Sequence, residues 1–334
     1  MAKVLRLHEY KEYADISGIQ LDDIALAEPD QGEIRIKVDA FSLNYGDFEL
    51  FANKYMFSME LPTRFGDECS GVVDAIGEGV ENFRIGDKVS TLPWMNEGYG
   101  VDGEFAIVPA SFVAHYPCNL SPEEACCIWV AYLTAYFALF EVAQIQSTDY
   151  VLITAGSSSA GMATMELCRM MGAKTIGTTR TGKNLGFLKE VGFDHAIAQS
   201  DQNMSESILD FSGGKGACIV YDPIGGGILQ EYAEGLAQNA EIFLYGGMSH
   251  EPTILPEIPL TQKAACLRPF SVYNHIYDQA SRERGIAFVY NALKQGYIKS
   301  YVEKVYPMDD FRQAFLDQLQ STSRKGKMVI STKD

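Results

Sequence analysis

Between an apolar run, Tyr150-Val151-Leu152-Ile153-Thr154, and a stretch with helical spacing stands Ala155-Gly156-Ser157-Ser158-Ser159-Ala160-Gly161. Small residues let a backbone approach a pyrophosphate, and the N–H groups that open a following helix bind such an anion. The hydroxyls of Ser157, Ser158 and Ser159 add donors, and Gly161 permits close helix–strand packing. The other reading of these residues is an ordinary serine-capped strand-to-helix turn. The next strand, expected over 174–178, runs out at Thr178-Thr179-Arg180-Thr181-Gly182-Lys183. A site for a free ribose 2′-hydroxyl places Asp or Glu roughly 20 residues past the glycine turn, and none stands there. Arg180 and Lys183 suit a 2′-phosphate instead, one as a planar fork and the other as a point charge. The expected cofactor is therefore NADPH, bound by Ser157, Ser158, Ser159, Ala160, Gly161, Thr179, Arg180 and Lys183; a solvated polar loop at 178–183 is the alternative.

Other chemistry-bearing patterns carry less. A literal G-x-G-x-x-G at Gly98, Gly100 and Gly103 precedes a strand and opens no helix, so no helix N-terminus faces a phosphate there. Gly77-Glu78-Gly79 reads as a plain turn. The five histidines are scattered, and the seven cysteines include no C-x-x-C pair, so neither a metal site nor a disulfide framework is expected. Reduced thiols and no apolar leader at the N-terminus point to a cytoplasmic protein. Trp94, Met95, Tyr99 and Trp129 are either an aromatic pocket or ordinary core.

The elements that must position these residues follow from periodicity. Up to residue 120 the chain reads as short strands, at 31–38, 70–77, 87–90 and 104–108, with dense Gly and Pro between them. From 121 strands alternate with helices. The strands are expected at 150–154, 174–178, 217–222, 241–246 and 264–267, the helices at 160–171, 185–191 and 229–237. That alternation means a parallel sheet covered on both faces. Helices at 281–295 and 311–320 and a strand at 327–330 close the chain. The architecture is α/β: a Rossmann-type doubly wound sheet (124–270) inserted in a β-rich catalytic domain (1–123 and 271–334). Residues 125–140 are uncharged, but shorter than the roughly 17–25 residues of a membrane span. With Ser121-Pro122-Glu123-Glu124 ahead of them they read as a capped, buried helix. A net charge of −17 excludes nucleic acid and anionic lipid as partners.

Several motifs in order resemble the medium-chain dehydrogenase/reductase superfamily. They are Leu43-Asn44-Tyr45-Gly46-Asp47, Gly66-Asp67-Glu68-Cys69-Ser70-Gly71-Val72-Val73, Gly86-Asp87-Lys88-Val89, the run from Trp129 to Ala135, Ser157 to Gly161, and Val220-Tyr221-Asp222-Pro223-Ile224-Gly225-Gly226. The chain is most similar to the zinc-less quinone oxidoreductase branch, with Ser158-Ser159 where many members carry Gly-Gly. The resemblance implies a GroES-like fold for the β-rich domain. It places Asn44 near the nicotinamide, Thr134 against that ring or its ribose, Tyr245 and Gly246 in the cofactor cleft, and Tyr45 at the substrate mouth. The catalytic zinc ligands of the alcohol dehydrogenases correspond to Asn44, Asp67 and Val130, which cannot make an ordinary tetrahedral zinc site. Asp47 and Glu68 are expected to be structural rather than an acid/base pair.

Without zinc to polarise an alcohol, reduction of a quinone or an enone is the expected reaction, with Asn44 and Tyr45 as catalytic residues. Tyr45 is a candidate to donate to the enolate or to protonate it, solvent being the alternative. An alcohol or aldehyde dehydrogenase of the same superfamily, and an NADPH-binding protein without turnover, are the rival readings. A homodimer is expected, through the sheet edge near 264–270.

Overall fold

The computed structural model describes residues 1–94, 99–320 and 324–333. It divides into two compact units, Met1–Val130 with Ser300–Asp334, and Ala131–Lys299. The division thus falls at 130/131 and 299/300 rather than at 123/124 and 270/271. Packing explains both shifts. Trp129 Nε1 donates to Ser90 Oγ at 2.7 Å and Val130 N to Glu68 Oε1 at 2.6 Å, which ties 124–130 to the first unit. Helix Gln279–Lys294 belongs to the second: Phe288 packs on Tyr136 and Phe140, and a Cβ on Gly285 would stand 2.8 Å from the Leu133 side chain.

The first unit is mostly sheet. Strands Ile19–Ile24, Ala2–Leu7 and Thr63–Arg64 form a three-stranded sheet. A seven-stranded sheet runs Val302–Pro307, Lys327–Ser331, Glu33–Ser42, Cys69–Ile76, Lys88–Thr91, Val113–His115, with Phe105–Pro109 also paired to Glu33–Ser42. The strand expected over 31–38 runs instead over Glu33–Ser42, lies mid-sheet and is buried along most of its length. Even Arg35 is buried, because Asp74 and Glu28 neutralise it at 2.7 and 2.9 Å. Edge-on contacts among Phe48, Phe51, Phe65 and Phe315 centre the core.

The second unit is one parallel six-stranded sheet: β1 Tyr150–Ile153, β2 Lys174–Thr179, β3 His195–Ala198, β4 Ala217–Asp222, β5 Leu236–Leu244 and β6 Cys266–Pro269. The spatial order is β3-β2-β1-β4-β5-β6. This is the doubly wound order, and its switch point lies between β1 and β4. The helix expected over 229–237 stops at Tyr232; a 3-10 turn, Ala233–Gly235, leads into β5. Gly235 sits 3.0 Å (measured from an ideal Cβ) from the Ser205 Cα, and its N–H bonds Ser205 Oγ, so the chain turns there.

Ser121 caps helix Pro122–Ala125 in a full capping box with Glu124. The apolar stretch continues as Trp129–Tyr136 and a π-type segment, Phe137–Val142. By length and composition Pro122–Val142 could cross a membrane, but 78% of its most apolar window is buried inside the protein, as a core helix is.

Candidate functional site

Helix Ser159–Met171 begins directly over the turn that follows β1. Ser158 is its N-cap, with φ −72° and ψ 159°, and its Oγ accepts from Gly161 N at 3.1 Å. This extended geometry costs a serine nothing, so Ser158 keeps the turn that glycine would make. The amides of Ser159 and Ala160, in the first turn, have no intrahelical acceptor and face outward along the helix axis. A Cβ on Gly161 would lie 2.8 Å from the Ala155 carbonyl oxygen and 2.9 Å from that of Gly156. The glycine therefore serves close packing of the helix on the turn itself, and Ala155 takes a positive φ of 49° to make that turn. Ser157 Oγ accepts from Asn184 Nδ2 at 3.3 Å.

β2 ends at Thr179, which is buried and whose Oγ1 bonds Thr181 O at 2.5 Å. Arg180 and Lys183 are exposed, and neither has a carboxylate within salt-bridge distance among the described residues. Asp201 approaches the same loop: its Oδ2 lies 3.2 Å from where a Cβ on Gly182 would stand. Sequence spacing did not reveal it, because Asp201 follows β3 rather than β2.

At the switch point Asp222 ends β4 fully buried. Its Oδ1 accepts from Thr154 Oγ1 at 2.6 Å and from Ile224 N at 2.8 Å, and its Oδ2 accepts from Tyr232 OH at 3.2 Å. Burial raises its pKa, and these donors only partly oppose that. Tyr221 and Tyr245 stack with ring centroids 4.0 Å apart, both hydroxyls buried. Gly246 is obligatory for space, since a Cβ would come within 2.7 Å of Pro223 O. Thr134 is buried on helix Trp129–Tyr136.

The first unit brings together Asn44, Asp47 and Glu68 with a residue not anticipated, Lys327. Lys327 Nζ donates to Asn44 Oδ1 at 2.9 Å, to Ser42 Oγ at 3.2 Å and to Glu68. Burial pulls the Lys327 ammonium toward neutrality, but Glu68 and the nearby thiols outweigh it and hold the pKa above its ordinary value. Glu68 is thus an ion-pair partner and an acceptor for Val130 N, a structural role. Asp47 Oδ2 accepts from Asn44 N at 2.8 Å. Burial first, and then the charge of Asp67, pushes its pKa up to about 8. Tyr45 packs beside Tyr13 and Phe48, at 6.2 Å from each ring.

Trp129 is completely buried core, hydrogen-bonded to Ser90. Trp94 packs on Phe112 and Tyr99. Met95 and Gly98 lie outside the described residues. Gly100 and Gly103 are close-packing positions: a Cβ would meet Phe65 N at 2.3 Å and Val4 at 2.7 Å. Among the described residues no three His, Cys, Asp or Glu side chains group as metal ligands.

The open N-terminus of helix Ser159–Met171, the crowded Gly161 and two exposed cations without a carboxylate partner among the described residues are groups of a kind that binds anions. The alcohol dehydrogenase GroES-like domain family matches residues 30–118, and the zinc-binding dehydrogenase family matches residues 160–288. A quinone oxidoreductase-like protein 2 homolog of Nematostella vectensis is 28% identical over 304 residues, 90% of this chain and 82% of that protein. A 2-haloacrylate reductase of Burkholderia sp is 25% identical over 295 residues, 86% of this chain and 87% of that protein. Escherichia coli quinone oxidoreductase, solved with NADPH, superposes with a TM-score of 0.89 at 22% identity, covering 99% of this chain and 100% of that one.

Proposed function

We propose that this chain, whose GroES-like and zinc-binding dehydrogenase family matches point to the medium-chain dehydrogenase/reductase superfamily, is an NADPH-dependent reductase of quinones or carbonyl-activated C=C bonds that works without zinc. The observation that carries the reading is the N-terminus of helix Ser159–Met171, together with a loop after β2 bearing two exposed cations that have no carboxylate partner among the described residues. When bound, NADPH supplies the hydride. The turn Ser157–Gly161 holds its pyrophosphate, and Arg180 and Lys183 hold its 2′-phosphate. Thr179 supports that loop, while Thr134, Tyr245 and Gly246 wall the site. Asn44 and Tyr45 orient the acceptor, and the proton that completes reduction comes from water or from Tyr45.

The positions that would carry a catalytic zinc are Asn44, Asp67 and Val130, and Val130 has no donor atom in its side chain. This disfavours an alcohol dehydrogenase. A relative named 2-haloacrylate reductase has a substrate whose C=C is conjugated to a carboxylate, which supports the activated-alkene arm. We place the protein in the cytoplasm, consistent with its seven unpaired cysteines. Following NADPH absorbance with a quinone, an enone and an alcohol–aldehyde pair tests the reading. Consumption is expected with the first two, unaffected by chelators and with far less than one zinc per chain. Tight NADPH binding without oxidation across the panel would leave a binding protein, not an enzyme.

A further inference from the structure

Lys327 starts the strand Lys327–Ser331, whose Val329 pairs with Ser42 across the antiparallel ladder. That register delivers its ammonium, 283 residues away in sequence, to Asn44. An ammonium has three donors and no acceptor. Here the three go to Glu68, Ser42 and Asn44 Oδ1. Each partner is held from elsewhere: Glu68 by Val130 N, Ser42 by the Cys126 carbonyl oxygen at 2.7 Å, and Asn44 through its own N–H by Asp47. Because the ammonium can only donate, Asn44 must offer it oxygen, and this fixes the amide's orientation. The other end of that amide, Nδ2, is buried and has no hydrogen-bond partner among the described residues. A buried amide donor without an acceptor is costly, and a ligand oxygen would relieve the cost.

We propose that Lys327 is a positioning residue for the reduction: by holding Asn44 Oδ1 it keeps Asn44 Nδ2 as a preset donor to the carbonyl or quinone oxygen on which charge gathers. The inference rests on the reductase reading above and deepens it. Hydride arriving at the carbon terminus of a conjugated acceptor leaves negative charge on that oxygen. A donor already in place stabilises that charge with no reorganisation. The Lys327–Glu68 pair is the support that keeps the donor from rotating away.

The test uses Asn44→Ala, Lys327→Met combined with Glu68→Gln so that no buried charge is left alone, and the triple variant. Removing one such donor costs about 10²–10³ in kcat, and Asn44→Ala is expected to show that loss. The Lys327/Glu68 variant should lose at least tenfold in kcat, with NADPH affinity within twofold of wild type. The triple variant should be no slower than Asn44→Ala. A second readout is calorimetric binding of the saturated ketone product in the presence of NADP⁺, which should weaken about tenfold in all three. If the Lys327/Glu68 variant melts far below wild type, ketone binding is measured on it at low temperature, and an unchanged affinity overturns the proposal. Losses that multiply in the triple variant, or an Asn44→Ala protein with unchanged kcat and ketone affinity, would also overturn it. If wild type oxidises no NADPH with any quinone or enone, the reductase reading fails. Ketone affinity unchanged by Asn44→Ala then overturns the donor as well, and weakened affinity retains it for binding alone.

Discussion

Thr154 Oγ1 donates to Asp222 Oδ1 at 2.6 Å, joining the ends of β1 and β4 where the strand order reverses. The bond also anchors the turn that begins at Pro223, because the same carboxylate oxygen takes Ile224 N and Gly225 N. A buried carboxylate that loses one donor cannot recruit water in its place. Thr154→Val is expected to cost about 1.5–3 kcal/mol, the value of a hydrogen bond to a charged group. Urea unfolding at neutral pH reads it, and a loss below about 0.5 kcal/mol would mean that the other donors suffice.

Gly161 makes a separate claim on the same region. With 2.8 Å to the Ala155 oxygen, the added methyl of Gly161→Ala has rigid backbone on its far side. The helix start must shift, and the Ser159 and Ala160 amides with it. NADPH affinity should fall at least tenfold, while the melting temperature changes by only a few degrees. Unchanged affinity would remove this helix terminus from the cofactor site.

Asp47 predicts a pH dependence of stability. Its folded pKa is near 8, against an ordinary 3.8, because burial and then Asp67 disfavour its charge, with Glu68 adding to the rise and Lys327 and the Asn44 N–H opposing it. Between those two values the folded state binds more protons than the unfolded one, so the Asp47 contribution to stability falls as pH rises from about 4 to about 8. Asp47→Asn keeps an acceptor for Asn44 N–H and removes the titration. The variant should gain stability over wild type progressively across that window, most at pH 8. A difference that stays flat from pH 5 to pH 8 would show that Asp47 is ionised in the folded protein throughout.

What the sequence disclosed was mostly local. The Ser121 cap and the Ser157–Gly161 turn each depend on neighbours within a few residues. So does the helix Leu185–Val191, which matches its expected span. What stayed hidden was made by tertiary pairing. Lys327 looked like the plain start of a last strand, and only its register beside Ser42 gives it to Asn44. Asp201, in the turn after β3, meets the β2 loop at Gly182 only through the pairing of those two strands. The helix expected through residue 237 had the right apolar spacing, but Gly235 has Ser205 and Ile208 against it, and packing overrode periodicity.

The edge of the parallel sheet at β6, which has no further strand partner among the described residues, predicts self-association. β6 is the last strand, and the helix before it, Glu257–Lys263, buries none of its residues. Ile258 is 71% exposed and Ile254 64%, with Leu255 beside them. An unpaired edge next to exposed apolar side chains is a surface that needs cover. Light scattering should report about twice the 36.9 kDa chain mass at micromolar concentration. Ile258→Glu should shift the population toward monomer without altering the melting of that monomer's core. A wild type that is monomeric at all concentrations would refute the dimer.

Cofactor choice should turn on Arg180. It is exposed and has no carboxylate partner among the described residues, so its charge is available to a 2′-phosphate. A charge-assisted hydrogen bond is worth about 1.5–3 kcal/mol, and each 1.4 kcal/mol is about tenfold in affinity. Arg180→Ala should weaken NADPH by about ten- to a hundredfold and leave NADH nearly unchanged. Lys183→Ala should do the same more mildly, since a flexible point charge loses more freedom on contact. Lys189, exposed near the end of helix Leu185–Val191, is the control and should show no effect. Asp201 sharpens the test, because its carboxylate stands beside Gly182 and repels a phosphate placed there. Asp201→Asn should tighten NADPH severalfold and leave NADH unaltered. Equal binding of NADH and NADPH by wild type, or equal weakening of both by Arg180→Ala, would mean that the loop does not read the 2′-phosphate.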